Sequence, residues 1–186
     1  MSSKNSYIHS IGDLWNSGNG ASEKLTIKTD RKLGENVKLA NDLEATIKLI
    51  RGDESIIAII EKIIAPVIIQ CPKCLNDKRH LIEVIAGERE FLMNSPERDY
   101  DPFENFIVDK KDMSIDLSDL IRQEIILHFP INPVCSDRCK GLCEGCGIDL
   151  NVSKKHSEDC QAINALSTDT KENRPFANLK NIINNS

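Results

Sequence analysis

Aromatic residues are scarce: one Trp, two Tyr and five Phe are 4% of 186 positions, so Ile, Leu and Val must fill any core. A basic start followed by an apolar run is lacking too. Met1 to Gly20 is rich in Ser, Asn and Gly, which excludes a secretory signal there. No apolar run is long enough for a membrane, since the longest, Ile56 to Ile69, is broken by Glu61, Lys62 and Pro66. Positive charge is in deficit, 24 Lys and Arg against 29 Asp and Glu, for a net charge of −5. That balance argues against holding nucleic acid by bulk electrostatics. Also missing are a Gly-rich phosphate loop, a nucleophile elbow and a His-plus-carboxylate pattern at metalloprotease spacing. The absences point to a cytoplasmic protein with neither catalysis nor a small-molecule substrate.

Cysteine is abundant instead. Four of the seven cysteines, Cys135, Cys139, Cys143 and Cys146, are spaced C-x3-C-x3-C-x2-C, and Cys160 follows. Cys71-Pro72-Lys73-Cys74 stands apart, upstream. An odd number without a secretory segment favours metal over a disulfide framework. Cys143-Glu144-Gly145-Cys146-Gly147 reads as a zinc knuckle, with Gly145 and Gly147 able to take the positive φ of a tight turn. With His156, in His156-x3-Cys160, there are eight candidate ligands, the number two closed zinc sites require. One partition gives Cys71, Cys74, Cys135 and Cys139 to one ion, and Cys143, Cys146, His156 and Cys160 to another. A second gathers Cys135, Cys139, Cys143 and Cys146 and leaves Cys71 and Cys74 as a conditional pair. Spacing does not choose between one ion and two. A lone His in a polar loop is more often solvated than ligated, so His156 is the weakest candidate. His9, His80 and His128 have no cysteine neighbours and are read as ordinary side chains. All-thiolate or Cys3His coordination leaves no open position, so the zinc is expected to be structural.

Along the chain, Ile8, Ile11, Leu14 and Trp15 have the spacing of a short helix. Alternation predicts half-buried antiparallel strands over Leu25 to Thr29 and Leu43 to Ile50. Ile56 to Gln70 reads as one long buried strand, with a helix over Ile56 to Ile64 as the competing reading. Pro66 lacks a ladder donor, so a bulge or an edge is expected there. A return strand is expected over Leu81 to Leu92, a surface loop over Asn94 to Glu104 and a strand at Phe106 to Lys110. At Asp116 the period changes. Leu117, Leu120, Ile121, Ile125 and Phe129 form a helical stripe capped by Asp116 and stopped by Pro130, with Arg122, Gln123 and Glu124 largely outside it. Pro175 opens a last short helix carrying Phe176, Leu179, Ile182 and Ile183. The expected fold class is α+β: a β-rich antiparallel part over residues 1–113, then over 114–186 one amphipathic helix, a cysteine-rich zinc-binding module and a C-terminal helix.

From residues alone the reading ends at a zinc-stabilised binding or assembly factor, with a zinc-ribbon-like nucleic-acid or protein-binding module as one form of it. A C-x-x-C redox protein is the other alternative, but that chemistry wants its first thiolate at a helix N-terminus, and strands flank this pair. Four pieces in order carry a resemblance. They are Cys71-Pro72-Lys73-Cys74-Leu75 after a long strand, and Ile115-Asp116-Leu117 leading to Glu124-Ile125-Ile126-Leu127 and Phe129-Pro130. Then come Cys139-Lys140-Gly141-Leu142-Cys143 with Cys146-Gly147 and Leu150-Asn151, and finally Pro175-Phe176-Ala177-Asn178-Leu179-Lys180. The chain resembles the YceD family of bacterial large ribosomal RNA subunit accumulation proteins over roughly residues 55–183. The resemblance implies a non-enzymatic factor for synthesis, processing or stability of large-subunit ribosomal RNA, with the large-subunit precursor, its RNA or an associated protein as partner. Some family members carry a second cysteine close after the Leu-Asn pair; here Cys160 comes nine residues on. Arg122, Arg138, Lys140 and Lys154 are the positions to test for RNA.

Overall fold

The structure, a computed structural model, describes residues 6–30, 32–94, 106–153, 155–156 and 160. The expected loop at 94–104, beyond Asn94, and the expected C-terminal helix at 175–183 lie outside these residues. The described residues fall into two compact units, those within Met1–Cys71 and Asn76–Cys135, and those within Pro72–Leu75 and from Ser136 onward.

The first unit is built on β4, Ser55–Gln70, the long strand the β-branched run predicts and not a helix. Antiparallel to it on one side lies β3, Leu43–Arg51, which in turn pairs with β2, Ser22–Thr29. On the other side two strands share its length: β5, Asp77–Val84, pairs with Ile63–Gln70, and β6, Gly87–Leu92, pairs with Ser55–Ile60. The single return strand expected over Leu81 to Leu92 is therefore two strands. A short parallel partner, β7, Phe106–Ile107, joins β6 in place of the longer strand expected to Lys110.

The break between β5 and β6 falls opposite an irregularity in β4. Thr46 pairs with Lys62 but Ile47 pairs with Ile60, so Glu61 is an extra residue in the ladder. One extra residue reverses which side chains face inward. Ile56, Ala58 and Ile60 are buried before it, and Ile63, Ala65 and Val67 after it. Both halves thus supply the same apolar face, and Glu61-Lys62 supplies charge where the ladder slips. Pro66 sits beyond the end of β3. Its carbonyl accepts the Ala40 N–H at 2.7 Å, and its missing donor falls on that same side, next to the isolated Leu39–Val67 bridge. Leu81 of β5 pairs it on the other side, so the proline ends a short ladder and does not lie at a free edge.

Near the N-terminus the expected helix starts later. Ile8 lies in β1, Ile8–Ser10, antiparallel to β8, Ser114–Asp116, and only Gly12–Asn16 is helical, as α1. Trp15 lies half-buried under the Arg51 guanidinium, 4.3 Å from the ring centre.

The second helix, α2, is Ser118–Leu127. Asp116 ends β8 and is not the N-cap residue, yet its Oδ1 still accepts the Ser118 N–H at 2.8 Å. The N-cap, Leu117, offers no side-chain bond. Burial compensates: Leu120, Ile121 and Ile125 are fully buried, at about 1.5–3 kcal/mol each, against about 1 kcal/mol for a cap. Glu124, read as outside the stripe, is buried, and Arg89 reaches it at 3.3 Å. Gly87 makes room for it: a Cβ there would stand 3.1 Å from Glu124 Cδ. No helix among the described residues is long and apolar enough to cross a membrane. The architecture of the described residues is α+β, strand-rich with two short helices, mainly antiparallel sheets and cysteine clusters.

Candidate metal centres

Cys71 follows β4 directly, and Cys74 stands in the turn that leads to β5. The Cys71 N–H donates to Asn76 O at 2.9 Å and closes this turn, and Leu75 takes φ +59°. The Cys143 turn has the same shape. Cys143 O accepts the Gly147 N–H at 2.8 Å, and Gly147, fifth in its turn like Leu75, takes φ +69°. Gly145 is not in that region. Glycine at the fifth position carries no Cβ penalty, whereas Leu75 bears one.

Gly141 serves a different end. It has φ +74°, and a Cβ on it would stand 3.0 Å from Lys73 O. That same carbonyl accepts the Leu142 N–H at 3.0 Å, so the Pro72–Leu75 turn lies directly on the Gly141-Leu142 backbone. Next in the chain, Leu142 bridges Asp149, and the Leu150 N–H donates to Gly141 O at 3.0 Å. Asn151 then turns back: its Oδ1 accepts the Lys140 N–H at 2.9 Å, and its Nδ2 lies 3.5 Å from Cys139 Sγ. Spacing among cysteines gives no hint of Asn151 or Gly141. The signal for Asn151 was Asp149-x-Asn151, an Asx-turn pattern.

These turns bring the eight candidate side chains into two groups. Cys71, Cys74, Cys135 and Cys139 form one, and Cys143, Cys146, His156 and Cys160 the other, with ligand atoms in each within 4.8 Å of one another. This is the first partition read from the sequence; the second, gathering Cys135, Cys139, Cys143 and Cys146, is not formed. His156 does not stand apart in solvent: its Nδ1 is 3.4 Å from Cys160 Sγ and 3.7 Å from Cys146 Sγ. Cys143 Sγ and Cys160 Sγ are 3.6 Å apart, too far for a disulfide, and no disulfide joins any of the described cysteines. Tetrahedral coordination at ordinary zinc bond lengths puts two sulfurs about 3.8 Å apart and a sulfur and a nitrogen about 3.6 Å apart. The Cys143–Cys160, Cys146–His156 and Cys160–His156 separations in the second group lie close to those values. Either group could hold a metal ion, and a four-ligand set leaves no position for a substrate.

Two of the other histidines have local roles, while His80 Nε2 is buried with no hydrogen-bond partner among the described residues. His9 Nε2 lies 2.8 Å from Glu23, and His128, at the end of α2, directs Nδ1 to Glu124 O at 2.8 Å. Of the basic positions, Arg122 is held by Asp119 at 3.0 Å, Arg138 and Lys140 are exposed, and Lys154 lies outside the described residues.

A family model described as the large ribosomal RNA subunit accumulation protein YceD matches residues 62–183, a span that takes in both groups. The chain belongs to the YceD family. As a YceD-family chain it has curated relatives of 30% identity over 95 residues, the uncharacterised proteins Mb2951c of Mycobacterium bovis and Rv2926c of Mycobacterium tuberculosis. The matched span is 51% of this chain and 45% of each relative, so the chain covers about half the length of the curated relatives it matches. No solved structure matches this YceD-family chain.

Proposed function

We propose that the chain is a non-enzymatic, zinc-stabilised factor acting in the bacterial cytoplasm in the synthesis, processing or accumulation of large-subunit ribosomal RNA. The family match over residues 62–183 carries this reading. Its partner is the large-subunit precursor, through the RNA or an associated protein. Zinc, one ion in each four-ligand group, fits the soft thiolate-rich donor sets and serves as scaffold. A structural zinc contributes on the order of 10 kcal/mol, comparable with a domain's whole stability. That suits a segment with few apolar residues of its own.

The test is sedimentation of tagged protein from cell lysate through gradients at low and high salt. Co-migration with large-subunit precursors that survives high salt is expected, and migration only as a small free species would contradict the reading. If RNA is touched directly, reversing exposed Arg138 and Lys140 to Glu weakens that binding at low salt. An unchanged affinity would remove both as contacts.

A further inference from the structure

Asn151 lies between Cys146 and His156 of one four-ligand group but reaches a thiol of the other. Its Nδ2 is 3.5 Å from Cys139 Sγ and 2.7 Å from Asp149 Oδ1, while its Oδ1 accepts the Lys140 N–H at 2.9 Å. The partners decide which way round the amide stands, because a backbone N–H only donates and a carboxylate or thiolate accepts. Asp149 Oδ1 also accepts the Asn151 backbone N–H at 2.8 Å, an Asx turn that holds the residue in place. The Leu150 N–H bond to Gly141 O and the Leu142–Asp149 bridge lay this segment along 141–142. A side chain held by the Lys140 N–H and Asp149 Oδ1, on a segment that these backbone contacts tie down, therefore points a donor at one metal-ligating sulfur.

We propose that Asn151 is a positioning residue for the ion held by Cys139, and that through it the two centres load cooperatively. The inference rests on the zinc reading above. Four thiolates place excess negative charge on one ion, and an N–H directed at a sulfur offsets part of it and fixes the sulfur's orientation. Ligation by Cys143, Cys146, His156 and Cys160 closes the segment containing Asn151, and so holds the donor where Cys139 needs it. Partners of this kind change metal affinity about 10- to 100-fold, and the exposure of Asn151 sets the expectation at about tenfold.

The test uses the full chain titrated with Co(II) and then with zinc, following the thiolate-to-cobalt charge-transfer band of the all-cysteine centre. Asn151→Asp keeps an oxygen for the Lys140 N–H but replaces the amide donor with a carboxylate facing the sulfur, whereas Asn151→Ala removes both. Both variants are expected to weaken this centre about tenfold, the Asp variant at least as much as the Ala, with a shifted band and two ions still bound at saturation. Asn151 is exposed, so neither substitution disturbs the apolar core. Disabling the other centre with Cys143→Ser and Cys146→Ser is expected to lower the all-cysteine affinity as well, with little further loss on adding Asn151→Ala. An Asp variant that matches wild type in affinity and band position would overturn the donor role. An all-cysteine centre indifferent to Cys143→Ser/Cys146→Ser would overturn the coupling. A wild-type chain that takes up no ion would overturn the zinc reading and this inference together.

Discussion

Gly141→Ala separates a close backbone approach from mere turn geometry. At φ +74° an L-residue costs about 1–2 kcal/mol, of which Ala returns about 0.5–1 through a less disordered unfolded chain. The new Cβ also meets Lys73 O at 3.0 Å. That atom is backbone and accepts the Leu142 N–H, so giving way forfeits a hydrogen bond worth about 0.5–1.5 kcal/mol. The sum is about 0.5–3 kcal/mol. Without the ion, the Pro72–Leu75 turn can move off residue 141; with Cys74 and Cys139 on one ion it cannot. The cost therefore falls on metal affinity, a loss of about 2- to 150-fold at 1.4 kcal/mol per tenfold. Competition against a chromophoric chelator reads it. Gly147→Ala is the control: its φ is +69°, but nothing lies within 4 Å of an added Cβ, so only the conformational part applies, at most about tenfold. Zinc affinity within twofold of wild type in the Gly141 variant would refute the close approach.

Leu75→Gly relieves a left-handed leucine whose side chain is half exposed, and is expected to stabilise by about 0.5–1 kcal/mol in denaturant unfolding. A loss instead would show that the Leu75 side chain contributes more than its backbone costs. Arg89→Met leaves Glu124 buried without its cation. Because Arg89 is itself about one-third exposed, the expected loss is about 1–2 kcal/mol rather than the 3–5 of a fully buried pair. An unchanged denaturation midpoint would mean that solvent already screens Glu124. Stripping metal with a chelator is expected to abolish amide-exchange protection from Cys139 to Ser153 while β2 to β6 keep theirs. Protection retained in both would deny the metal its scaffolding role.

Where one face of a strand is buried, the sequence carried the pattern openly. Leu43, Ala45, Ile47 and Leu49 alternate and are buried as alternation requires. β4 was harder because apolar residues fall on both of its faces, yet its two charges in succession, Glu61-Lys62, coincide with the slip in register. That slip also hides the division of the return strand, since β5 and β6 each follow a different half of β4. Glu124 was misplaced because helical periodicity assigns a charge to solvent, and the pairing with Arg89 lies 35 positions away in sequence. Cysteine number limited the ligand set but not its partition, because the choice depends on the Cys71-Cys74 turn meeting residues far along the chain. Glycine is ambiguous in the same way: Gly145 and Gly147 were both credited with the positive φ that Gly147 alone of the two takes, and the demand on Gly141 was hidden because it comes from Lys73 O.

Native mass spectrometry of the purified full chain tests the zinc reading most directly. Two zinc ions per chain are expected, falling to one when Cys146 and Cys160 are replaced by Ser. A metal-free wild-type mass with all seven thiols open to alkylation would contradict it.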